Sequence, residues 1–114
     1  MATESQPISL SGWALVLGAS SGFGAATSMA LARAGLNVFG VHLDRKATLP
    51  NAERLVAEIK GVGREARFYN INAADEERRA ETAADMERIL RERGEEGQLR
   101  VMLHSLAFGT LKLF

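Results

Sequence analysis

The sequence predicts an α/β fold: part of a doubly wound parallel sheet, with about four strands and three helices. Two observations predict it. Short, continuous apolar runs alternate with stretches of helical periodicity along the chain. A glycine-rich turn, Gly18 to Gly24, joins the first apolar run to the first helical stretch.

Residues 1–11 read as a loose polar leader, and 12–114 as one domain. Trp13 to Leu17 is a continuous apolar run ending at Gly18, which suits a strand buried on both faces. Gly22 to Ala34 is Ala-rich and reads as a helix, with Ala26, Met29, Ala30 and Ala34 on one stripe. Gly35 closes it with the left-handed conformation that glycine takes cheaply. Val38 to Leu43 is the second strand. Pro50 marks a second helix start, with Leu55, Val56, Ile59 and Val62 at helical spacing and Gly61 and Gly63 ending it. Ala66 to Ile71 is the third strand. Asp75 to Arg93 is a third helix, acidic at its start and basic near its end, as the helix dipole favours. Its charges read as a solvated face. Gly94 to Gly97 is a turn, and Val101 to Leu106 the fourth strand. Alternating strands and helices with right-handed crossovers predict the strand order 3-2-1-4.

Composition narrows the function classes. Hydrophobic residues make up 46% of the chain and charged residues 25%, enough for a core and too mixed for disorder. Fourteen basic residues balance fourteen acidic ones, so nucleic acid and acidic membrane surfaces are not expected partners. There is no Cys, and the two His, His42 and His104, lie in apolar runs; no metal site is expected. No apolar run is long enough to span a bilayer, and no signal peptide is recognised, so the expected location is the cytoplasm.

The turn Gly18-Ala19-Ser20-Ser21-Gly22-Phe23-Gly24 carries the chemistry. Gly18 lets the chain turn sharply off the strand. Gly22 lets backbone approach a pyrophosphate, and Gly24 lets the helix pack closely on the sheet. The helix N-terminus offers free N–H groups and partial positive charge, and Ser20 and Ser21 add hydroxyl donors. An acid, Asp44, follows about twenty residues after the last glycine, completing a Rossmann-type dinucleotide signature. No Lys follows the glycines, which argues against a nucleoside-triphosphatase loop. A methyltransferase or an epimerase with the same nucleotide half stays open.

The spacing Gly-x-x-x-Gly-x-Gly resembles the short-chain dehydrogenase/reductase superfamily. Asn70-Ile71-Asn72 stands where that family usually has Asp-Val-Thr, a segment that contacts the adenine. Leu103-His104-Ser105-Leu106-Ala107-Phe108 stands where typical members have Asn-Asn-Ala-Gly, and is similar to the enoyl-thioester reductase branch. The resemblance covers about residues 12–110. It implies NADP or NAD as cofactor, with Gly18, Ser20, Ser21, Gly22, Phe23, Gly24, His42, Asp44, Arg45, Asn70, Ile71, Asn72, Ser105, Leu106 and Ala107 lining it. An acid at the end of the second strand favours NAD, and an Arg favours NADP. Asp44 and Arg45 stand side by side. His42 holds the family's usual acid position, so the reading leans to NADP through Arg45. His104 reads as a core histidine rather than a catalytic one.

The same resemblance implies hydride transfer assisted by a Tyr and by a Lys four residues beyond it. Here the only Tyr, Tyr69, is followed at position 73 by Ala, so no catalytic residue is carried over. The apolar tail Thr110 to Phe114 falls just past a strand. The expectation is the N-terminal, cofactor-binding half of an NAD(P)-dependent oxidoreductase, inactive alone, whose substrate site needs the other half. An alternative is a non-catalytic interaction module that self-associates through the open edge of the fourth strand.

Overall fold

The computed structural model describes residues 10–72, 74–95 and 98–104. The elements run β1 (Trp13–Leu17), α1 (Gly22–Arg33), β2 (Asn37–His42), α2 (Leu49–Gly61), β3 (Ala66–Asn70), α3 (Glu76–Glu92) and β4 (Leu99–His104). The four strands form one parallel sheet in the order β3-β2-β1-β4, as the alternation predicts. Leu17 pairs with Val41 and with His104, and His42 pairs with Asn70. The C-terminal ends of all the strands therefore meet along one edge of the sheet.

Two apolar layers cover the two faces. On one, Val16, Val38 and Ala66 pack with Ala32 of α1 and with Leu55 and Ile59 of α2. On the other, Trp13, Leu15, Phe39 and Val41 pack with Ile89 and Leu90 of α3. β1 and β2 are buried on both faces, which is why they read as unbroken apolar runs.

Helix ends follow their capping chemistry. Ser21 caps α1 by accepting from the Gly24 amide, and Asp75 caps α3 by accepting from that of Arg78. Pro50 lies in the first turn of α2, where its missing N–H costs nothing. Gly35 follows α1 with φ at +116°.

Several boundaries and faces differ from the sequence reading. β2 ends at His42, and Leu43 is exposed. β3 ends at Asn70, and β4 starts earlier, at Leu99. On α1 the buried residues are Gly24, Ser28 and Ala32, whereas Ala26 and Ala30 are exposed. The helix is so rich in small apolar residues that composition offers little contrast between its faces. Val62 is exposed at the cap of α2 rather than on its buried stripe. His104 is exposed as well, because β4 has a strand partner on only one side among the described residues.

Candidate functional site

The site is built where β1, β2 and β3 end. Gly18 leaves β1 with φ at +79°, a conformation that a side chain would strain. Its amide and that of Ala19 both donate to the Val41 carbonyl, at 2.8 and 3.0 Å, and lash the turn to β2. Ser21 closes the turn from the other side. Its Oγ donates to the Gly18 carbonyl at 2.9 Å and accepts from the Gly24 amide at 3.0 Å.

This leaves the Gly22 and Phe23 amides at the start of α1 without an acceptor among the described residues. A helix start exposes such donors together with partial positive charge, which suits an anion. Around Gly22 the space is open: a Cβ there would meet nothing within 4 Å. Phe23 is 62% exposed beside it, and Gly24 is buried against the sheet. These residues fit a pyrophosphate.

Beside the turn lies a mainly apolar cleft of about 260 Å³, lined among others by Leu17, Gly18, Val41, His42, Ile71 and Asn72. Residues at the ends of β1 and β2 line it, and its mainly apolar character suits an aromatic base. A second, more polar cleft of about 390 Å³ continues past Asp44, Asn70, Asn72, Asp75 and Arg78. Leu17, Val41, Leu43, Ala74 and Arg78 were not singled out from sequence. Their signal is position alone, at or just beyond strand ends.

The hydroxyls of the turn do not serve as free donors. Ser21 spends its proton on Gly18, and Ser20 donates to Asp44 Oδ1 at 2.5 Å. The same carboxylate oxygen receives His42 Nδ1 at 3.1 Å, and the side chains of His42 and Asp44 are 4% and 5% exposed. Burial is the largest influence on the Asp44 carboxyl and pushes it up. Hydrogen bonds from Ser20, His42 and Thr48 outweigh burial and hold it below the usual carboxylate range.

Asn70, in the segment expected to contact the adenine, lines the more polar cleft, and its side chain clamps the backbone of Asp44, accepting from the amide at 2.8 Å and donating to the carbonyl at 3.1 Å. Ile71 donates its amide to the His42 carbonyl at 2.8 Å. Asn72 Oδ1 accepts from the Ala74 amide at 2.9 Å and leads the chain into α3. Arg45 is exposed, and its guanidinium has no partner among the described residues. Ser105, Leu106 and Ala107 lie outside the described residues.

Comparison with known proteins agrees with this fold. A dehydrogenase/reductase from Sinorhizobium meliloti 1021 superposes with a TM-score of 0.70 at 27% identity, over 87% of this chain and 36% of that one. Carveol dehydrogenase from Mycobacterium avium, in complex with NAD, gives 0.75 at 16% identity, over 92% of this chain and 39% of that one. A protein from Burkholderia cenocepacia assigned as a dehydrogenase, with bound NADP, gives 0.68 at 16% identity, over 88% and 36%. The chain thus spans little more than a third of the length of these structures. No curated protein matches it significantly. The family model for short chain dehydrogenases matches residues 12–103, and with most of its length so matched, the chain belongs to the short-chain dehydrogenase family.

Proposed function

We propose that this chain is the dinucleotide-binding part of an NAD(P)-dependent oxidoreductase. The observation that carries the reading is the pair of amides at Gly22 and Phe23, without acceptors among the described residues, with open space at Gly22 and an apolar cleft beside the turn. The pyrophosphate takes the amides, and the adenine takes the cleft lined by Leu17, Val41 and Ile71. Structural neighbours with bound NAD and bound NADP support a nicotinamide dinucleotide.

The bound nicotinamide supplies or accepts a hydride; the chain's own residues hold and orient the cofactor. The sequence holds no Tyr-x-x-x-Lys, so the proton-transfer groups are not among its residues, and the chain alone is inactive. The segment Leu103 to Phe108 directs the substrate class toward enoyl thioesters, with carbonyl compounds the wider alternative. Leaning toward NADP rests on Arg45, whose exposed guanidinium is available to a 2′-phosphate.

Isothermal titration of the folded 114-residue chain with NADH, NADPH and S-adenosylmethionine tests the reading. Saturable binding of a reduced dinucleotide is expected, with no turnover. Binding of S-adenosylmethionine in preference to both dinucleotides, or no binding by a sample with a native circular dichroism spectrum, would overturn it. A second reading, self-association through β4, draws on Leu99 and Met102, which are 41% and 66% exposed on that strand. Light scattering that shows a clean monomer removes it.

A further inference from the structure

Helix α2 carries charges that the fold leaves unmatched. Arg54 and Glu58 stand four residues apart, the same order and spacing that pairs Arg88 with Glu92 on α3 at 3.1 Å. On α2 they form no ion pair or side-chain hydrogen bond among the described residues, and neither do Glu53 and Lys60. All four side chains are exposed. Arg54 and Glu58 instead line a groove of about 450 Å³ between α1 and α2. The α1 wall of the groove is built from small residues, Gly22, Ala25 and Ala26, which leaves room for the side chains of a neighbour. Along the outer face of α2, Pro50, Ala57 and Gly61 are exposed and short, and another helix can approach such a face closely. Val62, at the C-terminal cap, is 41% exposed.

The order of the charges names the partner. The signs run negative, positive, negative, positive at positions 53, 54, 58 and 60. Arg54 and Glu58 lie two residues either side of Val56, and Glu53 and Lys60 lie three before it and four after it. A second α2, turned antiparallel about a two-fold axis level with Val56, sets Arg54 of each copy opposite Glu58 of the other. It also sets Glu53 opposite Lys60. The two-fold axis keeps the same flanks of the two helices together and makes every contact twice. The same centre sets Pro50 opposite Val62, so the exposed apolar group at the helix end is covered too. A parallel second helix in register would set like charge against like.

We propose that the outer face of α2 is an interface between two copies of this chain, packed as an antiparallel two-fold pair of α2 helices. Arg54 and Glu58 of each copy enter the groove of the other beside Ala25 and Ala26. The contact uses no residue of β4, and it does not depend on the dinucleotide reading.

Sedimentation velocity of the 114-residue chain over a concentration series tests the pairing, with Arg54→Glu and Glu58→Arg measured alone and mixed. The wild type forms a dimer. Each single reversal sets like charges opposite each other twice and weakens the dimer about tenfold or more, with an unchanged circular dichroism spectrum. Mixed one to one, the two variants bring two acids against two bases and form a heterodimer as tight as the wild-type dimer. The double variant Arg54→Glu, Glu58→Arg restores complementary pairs within one chain and recovers the homodimer. A role in helix stability alone gives neither recovery. A wild type that stays monomeric throughout the series overturns the proposal. So does a dimer that neither reversal weakens, because its contact then lies elsewhere, as at the edge of β4. A mixture and a double variant that both stay as weak as the single variants overturn it as well.

Discussion

At the N-terminal end of the sheet, Trp13 is fully buried, stacks on Phe39 at 4.1 Å and donates Nε1 to Glu95 at 3.1 Å. Arg93 lies 5.7 Å from the Trp13 ring centroid and makes two parallel hydrogen bonds to Glu65. At the C-terminal end, by contrast, two amides at the helix start lack acceptors among the described residues, and two clefts open beside them. Each end carries a carboxylate held below its usual range, for different reasons. For Glu65 the first cause is the hydrogen bond from Arg93, with burial opposing it. For Asp44 the first influence is burial, overcome by a hydroxyl, an imidazole and Thr48. A carboxylate matched to a guanidinium is finished business and holds the fold together. One held by Ser20 and His42 has no guanidinium partner and borders an open cleft. The difference teaches which end to mutate for stability and which for binding.

The largest expected effect is at the closed end. Trp13→Ala removes a fully buried indole, and such truncations cost about 3–5 kcal/mol. That is a large share of the ~5–15 kcal/mol that holds a domain folded. Trp13→Phe keeps a ring on Phe39 but loses the bond to Glu95, worth about 1 kcal/mol, and part of the buried ring, so it should fall between wild type and the alanine variant. Urea unfolding followed by circular dichroism reads both. A loss below about 1 kcal/mol for the alanine variant would break the comparison, because the closed end would then not be the anchor.

Gly22→Pro probes the open end without touching the closed one. Ser21 is extended, with ψ at 163°, as a residue before proline must be. Gly22 opens α1, where proline is well tolerated, and a Cβ there meets nothing. Stability is expected to hold or to rise by up to about 1 kcal/mol. The lost N–H donor and the filled space should weaken NADH or NADPH by about tenfold or more in titration. Unchanged affinity would mean that the Gly22 amide does not serve the cofactor.

Most of the framework was legible because it follows from local patterns. Parallel strands joined by right-handed crossovers leave few strand orders, and the apolar runs at β1 and β2 marked the sheet centre. Gly18, Gly22 and Gly24 declared their turn through spacing. The polar network was not legible in the same way. Ser20 and Asp44 are 24 positions apart, and nothing local says that they meet. A partial signal existed: His42 and Asp44, two residues apart on extended backbone, fall on one side. The Asn70 clamp was not legible either: register with His42 brings it beside the exit of β2.

The face of α1 was the clearest misreading, and it leads to the smallest predicted effect. Ser28 sits in mid-helix between Gly24 and Ala32, fully buried, and its Oγ has no hydrogen-bond partner among the described residues. A polar residue so placed escapes a search for apolar stripes. It packs for its size, not its hydroxyl. An unsatisfied buried hydroxyl costs about 1–3 kcal/mol, and Ala also favours the helix over Ser by up to about 0.5 kcal/mol. The small void left by the hydroxyl offsets part of that gain. Ser28→Ala should therefore stabilise the chain by about 1 kcal/mol and raise Tm by about 4–8 °C. It should leave dinucleotide affinity unchanged, since it touches neither the Gly22 and Phe23 amides nor Ser20. A fall in Tm would show that the hydroxyl has a partner. The helix that presents the open end would then be held by a polar contact of its own, and the contrast between the two ends would narrow.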